Sequence, residues 1–350
     1  MKIYHLVLLW VLGNYHLVNG QNKDANLDIS LMIQSITQIN VFEDPDYYHW
    51  GGSIIKGEDE RYHLFYSRWK KELGFAAWLT FSEIAHATSS SPNGPWKFEQ
   101  VELTGEQDGK WDEITAHNPK IKYFEGTYYL YYIGTHLQGL AYDEQTLINT
   151  HGKGLGDLYR GALRRNQRTG VAVSQSLYGP WIRSDQPLIE PSGPITTLTV
   201  NPAIDKGHDG RYYLIVKGDK PMETRFIRNQ AVAIGDSPLG PFELLDKPVI
   251  GNLDTEDASL WYDEVRETYF AIYHAHTYIG LIESKDGEHW YLSEHNKVMQ
   301  KQIRFKTGEI LRPYRMERPF IYVENGLPRT LCLAVLADDH SKTVFIPLDF

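Results

Sequence analysis

Cysteine is almost absent from this chain. Cys332 is the only one among 350 residues, so the fold cannot depend on intrachain disulfides and must be held by its hydrophobic core. Basic charge is also scarce, because 35 Lys and Arg stand against 45 Asp and Glu and leave a net charge of −10. Such an acidic protein is poorly suited to nucleic acids and anionic membranes, and we expect neither as a partner. The chain also lacks a nucleophile elbow, a phosphate-binding glycine loop and zinc-ligand spacing.

Long apolar runs are missing beyond the N-terminus. Lys2 precedes a short apolar run from Ile3 to Leu12, and small or polar residues follow as far as Gly20. This pattern is typical of a secretory signal peptide and is too short for a membrane span. We therefore expect residues 1–20 to be a signal peptide and the protein to be secreted or periplasmic. No Ser/Gly tract or Pro-rich stretch marks a linker, so residues 21–350 are expected to form a single catalytic domain.

Aromatic residues are abundant instead, at 13% of the chain, and many of them belong to a strand pattern that occurs five times. In each copy, aromatic and aliphatic residues form a short run after a charged turn, and another short apolar strand precedes that turn. The five copies begin at Arg61, Thr127, Arg211, Thr268 and Thr330. Each unit therefore opens as a β-hairpin.

A third strand follows the hairpin in most units and ends at a turn such as Gly94-Pro95-Trp96. Five such units predict an all-β fold, a five-bladed β-propeller, because a β-sandwich would not repeat one hairpin five times. The last unit lacks a clear fourth strand, and we expect a strand near residues 36–42 to complete it. The best helical pattern runs from Gly154 to Gln167, inside a long insertion between Thr135 and Thr169 that we expect to help form a pocket.

The Asn118-Pro119 pair, the Tyr128 to Tyr132 strand and the Gly-Pro-Trp turns resemble the family 43 glycoside hydrolases. The related family 117 anhydrogalactosidases share this style, and the resemblance covers roughly Val41 to Phe350. It implies inverting hydrolysis by three carboxylates: a base Asp, a pKa-modulating Asp and a general-acid Glu on the first three blades. It also suggests a single calcium-like ion on the propeller axis, although we expect no cofactor to be required.

The sequence departs from the family 43 pattern at those three carboxylates. The matching sites read Gly51-Gly52-Ser53, His117-Asn118-Pro119 and Val200-Asn201-Pro202, and none of them contains an acid. Acids appear instead on the later blades. The family's catalytic residues therefore cannot be transferred position by position.

The innermost strands of a propeller begin around its axis at one end, which we call the mouth. Acids that open these strands should converge there, and glycoside hydrolysis needs two carboxyl groups on either side of one sugar. The candidates are Glu317, Glu256, Asp257 and Asp112. Adjacent arginines favour a base role for Glu317, whereas Glu256 and Asp257 raise each other's pKa and favour an acid. Each also has a structural explanation, namely an ion pair, a strand cap or an acidic loop.

Sugar contacts are expected from side chains that hydrogen-bond hydroxyl groups or stack on a sugar face. The candidates are His49, Trp50, Arg68, His117, His136, Asn201, His274 and Arg318. His274 and His276 share one strand face and could bind a metal, but no third ligand matches, so we assign no metal ligands.

The sequence thus predicts an exo-acting glycosidase that releases a terminal sugar from fragments of plant or algal polysaccharide. By resemblance the sugar is β-xylose or α-L-arabinofuranose, with an anhydro-galactose as the alternative. A glycan-binding propeller without catalytic activity and a phosphorolytic enzyme remain open.

Overall fold

The computed structural model describes residues 26–349. The signal peptide predicted for residues 1–20 lies outside this range and stays a prediction. Five four-stranded antiparallel sheets surround a common axis, which confirms the five-bladed β-propeller. Among the described residues, no helix has the length and apolar character needed to cross a membrane.

The blades follow one another along the chain, and in each the innermost strand comes first. Blade 1 contains β2 (Tyr47–Lys56), β3 (Tyr62–Lys70), β4 (Glu83–Ser89) and β5 (Lys97–Leu103). Blade 2 contains β6 (Thr115–Phe124), β7 (Thr127–Thr135), β8 (Arg168–Ser174) and β9 (Ile182–Arg183). Blade 3 contains β10 (Thr196–Lys206), β11 (Tyr212–Asp219), β12 (Arg228–Gly235) and β13 (Glu243–Pro248). Blade 4 contains β14 (Glu256–Asp263), β15 (Thr268–His274), β16 (Tyr278–Ser284) and β17 (Tyr291–Gln300).

Blade 5 is built from both ends of the described chain. It contains β20 (Arg315–Glu324), β21 (Leu327–Ala337) and β22 (His340–Pro347), and β1 (Val41–Phe42) pairs with β22 as its outermost strand. The expected N-terminal strand is therefore confirmed, although it is only two residues long. A small hairpin of β18 (Ile303–Arg304) and β19 (Ile310–Leu311) lies in the connection between blades 4 and 5.

The five aromatic-rich runs form the second strand of each blade, and these strands are buried on both faces. Successive side chains of a strand point to opposite faces, so each second strand serves two blade interfaces. In β7, Leu130 and Tyr132 pack with Phe65 of blade 1, whereas Tyr131 packs with Leu214 of blade 3. This double burial explains why the sequence shows runs of large residues without polar alternation.

Between residues 26 and 349, helices lie outside the blades. They are α1 (Trp78–Phe81), α2 (Glu144–Asn149) and α3 (Leu158–Arg165), and single 3₁₀ turns span Ile29–Leu31, Gln38–Asn40, Lys71–Leu73 and Phe75–Ala77. The helix expected from Gly154 to Gln167 is shorter because Asp157 caps it, accepting hydrogen bonds from the backbone N–H groups of the two residues after Leu158 (3.1 and 3.0 Å). The insertion packs against α1 beside blade 1, burying Leu79 with Leu147 and Leu163.

Candidate active site

A β-bulge interrupts each innermost strand at the same place, and the five bulges surround the axis. At each bulge one residue has a positive φ angle, between 51° and 69°. These residues, which we call the bulge ring, are Gly51, Asn118, Asn201, Asp257 and Arg318. Four of the five are not glycine, an unusual choice for this backbone region. The bulge ring lines an axial cavity of about 10 Å³, roughly the space of one water molecule.

Hydrogen bonds connect the polar members of the bulge ring. Asn118 donates from Nδ2 to Oδ1 of Asn201 (3.0 Å), and Asn201 donates from Nδ2 to Oδ1 of Asp257 (2.6 Å). Arg318 donates to Asp257 from its guanidinium and from its backbone N–H. Because Asp257 is buried, its neighbours decide its charge. Burial favours the neutral acid, but Arg318 and His274 outweigh it and lower the pKa, so Asp257 is a carboxylate.

The residues just before the bulges lie nearer the mouth and divide it into two halves. They are Trp50, His117, Val200, Glu256 and Glu317. Blades 1 and 2 therefore contribute aromatic rings, and blades 4 and 5 contribute acids. We call these the aromatic half and the charged half.

Glu256 is the most strongly paired acid of the charged half. Its carboxylate lies 3.0 Å from Nζ of Lys217 and also pairs with Arg228, which in turn binds Asp254 (2.8 Å). Burial alone would raise the pKa of Glu256, but Lys217, His274 and Arg228 hold it well below its usual range. Glu256 is thus a buried carboxylate rather than a protonated acid.

His274 stands between two carboxylates and a lysine. Its Nδ1 lies 3.5 Å from Asp257 and 3.7 Å from Glu256, and its Nε2 lies 2.6 Å from Nζ of Lys301. Burial lowers the pKa of His274, but the two carboxylates outweigh it and raise the pKa above its ordinary value. Burial lowers the pKa of Lys301. At 2.6 Å one nitrogen must donate and the other accept, so the pair holds a single shared proton between Nε2 and Nζ.

Glu317 is the acid of blade 5. It is 8% exposed and accepts a hydrogen bond from Nε of Arg315 (2.8 Å), whose own side chain is 46% exposed. The Arg315 guanidinium also lies 5.4 Å from the ring centre of Phe75. Arg315 therefore stands where the charged half meets the aromatic half.

In the aromatic half, two half-exposed rings face outwards above buried ones. Trp50 is buried edge-on against Phe75, with ring centres 5.0 Å apart. His117 is buried beneath Trp78 (5.1 Å) and its Nδ1 lies 2.7 Å from the hydroxyl of Ser82. Burial holds the pKa of His117 well below its usual range, so its imidazole is neutral. Phe75 and Trp78 are only partly buried, so their rings are candidates for stacking on a sugar.

Six residues predicted from the sequence are thus brought together by the structure, namely Glu256, Asp257, Glu317, Asn201, His274 and Arg318. His117 and Trp50 adjoin them from the aromatic half.

The structure does not bring Asp112 to this cluster. Its carboxylate accepts hydrogen bonds from the Tyr132 hydroxyl (2.5 Å) and from Arg183 of the outermost strand of blade 2 (2.9 Å). Its neighbour Trp111 packs over the small Gly170 and against Tyr132, which carries Asp112 towards the blade's outer side. A catalytic role for Asp112 stays a prediction that its position does not support.

Three predicted sugar ligands also lie apart from the charged half. His49 is buried between Phe42 and a blade 1 tyrosine, with ring centres 4.6 and 4.7 Å away. Arg68 pairs with Glu83 (2.8 Å). His136 follows β7, and its Nδ1 accepts from a backbone N–H two residues on (3.3 Å). Their sugar contacts stay predictions without support from position.

Sequence reasoning missed the cations Lys217, Arg228 and Lys301 and the rings Phe75 and Trp78. Lys217 had a signal, because it ends an otherwise apolar run in β11 where a buried lysine needs a partner. Lys301 had none, since it comes from the connection after blade 4 and meets His274 only in the folded chain.

A calcium-like ion on the axis does not fit the residues present. The axial cavity is lined by one acid, Asp257, which Arg318 already neutralises, and by Lys120, whose ammonium would repel a cation. Glu256, Asp257 and His274 do place ligand atoms within 4.8 Å of one another. However, both of these carboxylates are already ion-paired, and Lys301 occupies Nε2 of His274.

No protein-family model and no curated protein sequence matches this chain. Solved structures do match, and they are five-bladed propellers of the glycoside hydrolase type. One is a family 117 glycoside hydrolase from the marine bacterium Zobellia galactanivorans, with 18% identity, a TM-score of 0.61, and coverage of 90% of this chain and 88% of that one. Another is an endo-arabinase from Bacteroides thetaiotaomicron, with 14% identity, a TM-score of 0.55, and coverage of 93% and 97%.

A third is a family 43 β-xylosidase/α-arabinofuranosidase from a compost metagenome, solved with xylotriose in a calcium-free form. It shares 15% identity and a TM-score of 0.55 with this chain, and the match covers 91% of this chain and 94% of that one. At these identities the likeness is one of fold. It confirms the resemblance to families 43 and 117 at the level of architecture.

Proposed function

We propose that the protein is an exo-acting glycoside hydrolase whose active site is the mouth of the propeller. The observation that carries this proposal is the buried group of Glu256, Asp257 and His274, with Glu317 on the adjoining blade. Glu256, Asp257 and His274 have shifted pKa values, and buried groups of this kind gathered at one opening are typical of acid–base catalysis. The fold shared with glycoside hydrolases supports the choice of reaction.

Glu317 is the proposed base. Arg315 donates a hydrogen bond to its carboxylate from Nε (2.8 Å) and orients it, and Glu317 is less enclosed than Glu256 or Asp257. In this role Glu317 takes a proton from a water molecule as that water attacks the anomeric carbon. The bond between this carbon and the glycosidic oxygen breaks, and the configuration inverts.

The proton donor is the His274–Lys301 pair. Cations paired with Asp254, Glu256 and Asp257 lower the pKa values of these carboxyls, so none of the three is favoured as a neutral acid, and Glu317 already serves as the base. The shared proton of the pair is the remaining acidic hydrogen, and it passes to the leaving glycosidic oxygen. Glu256 and Asp257 are positioning residues that favour the protonated pair.

The substrate we propose is a fragment of plant or algal polysaccharide with a terminal sugar stacked on Phe75 and Trp78. The insertion that follows β7 packs with Trp78 beside blade 1, and we propose that it limits access to the mouth and so favours release of an end unit. By resemblance the sugar is β-xylose or α-L-arabinofuranose, and an anhydro-galactose is the alternative. Secretion or periplasmic location, from the signal peptide pattern, belongs to the same proposal.

The test is a screen of aryl glycosides and of plant and algal oligosaccharides, followed by NMR of the released anomer. On any substrate found, Glu317→Gln and His274→Gln should each lower kcat by about 10²–10⁴-fold. The control is Lys97→Gln, an exposed residue of β5, which should leave kcat unchanged. Thermal melts of all three variants separate loss of catalysis from loss of folding.

Two results would count against the proposal. If wild type turns over no substrate but binds sugars, and Glu317→Gln binds them equally well, the protein is a glycan-binding propeller. If sugar phosphate is released only in phosphate buffer, the reaction is phosphorolysis.

A further inference from the structure

The mouth holds more positive charge than its acids neutralise, although the protein as a whole carries −10. Five cations, Lys217, Arg228, Lys301, Arg315 and Arg318, surround four carboxylates, Asp254, Glu256, Asp257 and Glu317. Among the described residues, Lys301 is the member of this set that forms no ion pair with a carboxylate. Its contact is the imidazole of His274.

Lys301 and Arg315 are close enough to repel each other. Arg315 contributes to lowering the pKa of Lys301, after burial, while Glu317, Asp257 and Glu256 oppose that effect. Two cations held together at a protein surface raise each other's electrostatic free energy unless an anion joins them. The acid that interacts with both cations, Glu317, already accepts a hydrogen bond from Nε of Arg315.

Hydrogen-bonding capacity remains on Arg315. Its Nε donates to Glu317, but in the part of the chain that the structure describes Nη1 and Nη2 have no hydrogen-bond acceptor. Nearly half of the Arg315 side chain is exposed, so it is accessible to a solute. An arginine edge of this kind binds the two oxygens of a carboxylate or sulfate side by side.

The same arginine borders the rings that a sugar would stack on, at 5.4 Å from Phe75 and 5.8 Å from Trp50. We propose that Lys301 and Arg315 form a binding site for an acidic group, a carboxylate or a sulfate ester, on the sugar that occupies the mouth. This inference rests on the proposed function and narrows its substrate to units of acidic polysaccharides.

The experiment measures binding, so it does not depend on turnover. Calorimetric titrations compare methyl glucuronoside with methyl glucoside, and a galactose 6-sulfate glycoside with its unsulfated parent. At least one acidic sugar should bind about ten-fold more tightly than its neutral partner, and the preferred pair tells a carboxylate from a sulfate. Arg315→Gln and Lys301→Gln should each remove most of this preference, whereas Lys97→Gln, which loses the same charge, should keep it.

Each other outcome has a definite meaning. Equal affinity for acidic and neutral sugars in wild type, or an equal loss of preference in Lys97→Gln, overturns the acidic-group site. Acid-selective binding by a protein that hydrolyses nothing leaves this site standing and removes the proposed function. Hydrolysis of neutral substrates without acid selectivity supports the proposed function and removes the acidic-group site.

Discussion

Replacing His49 should remove a large part of the pH dependence of stability. The ring is 1% exposed, and neither ring nitrogen has a hydrogen-bond partner. Burial, helped by Arg68, lowers its pKa from 6.5 to about 4, and this net value already includes the opposing effects of Asp44 and the backbone of Phe42. Because the folded pKa lies below the unfolded one, protonation favours the unfolded chain. Stability from this site is complete above pH 6.5 and is lost as the pH falls towards 4.

The size of the effect follows from the two pKa values. A shift of about 2.5 units corresponds to about 3 kcal/mol when both states are fully protonated. At pH 5 the unfolded histidine is almost wholly charged and the folded one almost wholly neutral, so about 2 kcal/mol of stability is lost relative to pH 7.5.

The assay is urea denaturation of wild type and His49→Phe at pH 5 and pH 7.5. The phenyl ring keeps the contacts with Phe42 and Tyr66 but cannot be protonated. Other titrating groups contribute equally to both proteins, so the difference between them isolates His49. The variant should lose about 2 kcal/mol less than wild type between the two pH values. An equal loss in both proteins would show that His49 is hydrated or hydrogen-bonded, and the reasoning would fail.

Three further predictions concern the mouth. Asp257→Asn should destabilise the fold by about 3–5 kcal/mol, because Arg318 loses its buried partner. Glu317→Gln should cost about 1 kcal/mol or less, because its partner Arg315 is half-exposed. Equal melting temperatures for the two variants would contradict this difference. EDTA should change neither activity nor melting temperature, because Lys120 and Arg318 line the axial cavity and would repel a metal ion. A loss of activity in EDTA that added calcium restores would refute this prediction. Glu256→Gln should move the alkaline limb of the kcat/KM profile to lower pH, because one of the carboxylates that raise the pKa of His274 is gone. An unmoved limb would exclude the His274–Lys301 pair as the acid.

The fold could be predicted from sequence because each blade repeats a local signal. Runs such as Tyr128 to Tyr132 are large throughout, since both faces of a second strand are buried between blades. The places of Gly51, Asn118 and Asn201 could also be aligned, because each stands at the same point of its innermost strand. The strands of blades 1 to 4 follow one another in the chain, so among the described strands only the pairing that closes blade 5 joins strands far apart in sequence.

The site could be predicted only in part, because its partners come from different blades. Glu256 and Asp257 open β14 and were recognisable, but Lys217 approaches from blade 3 and Lys301 from the connection after blade 4. The prediction that Asp112 lies with the catalytic acids lacks support for a related reason. It precedes an innermost strand as the other candidates do, but packing of its neighbour Trp111 turns it towards Arg183.

These cross-blade contacts also decide how the acids are interpreted. From sequence, adjacent Glu256 and Asp257 suggest one raised pKa and a neutral acid, since two carboxylates repel each other. In the folded protein the positive charges of Lys217, Arg228 and Arg318 outweigh the repulsion between the two carboxylates, and both carboxylates stay ionised. The proton that catalysis requires must then reside on the His274–Lys301 pair, whose imidazole lies between the two carboxylates. Glu256 and Asp257 therefore do not donate a proton themselves; they stabilise the proton held by the neighbouring His274–Lys301 pair.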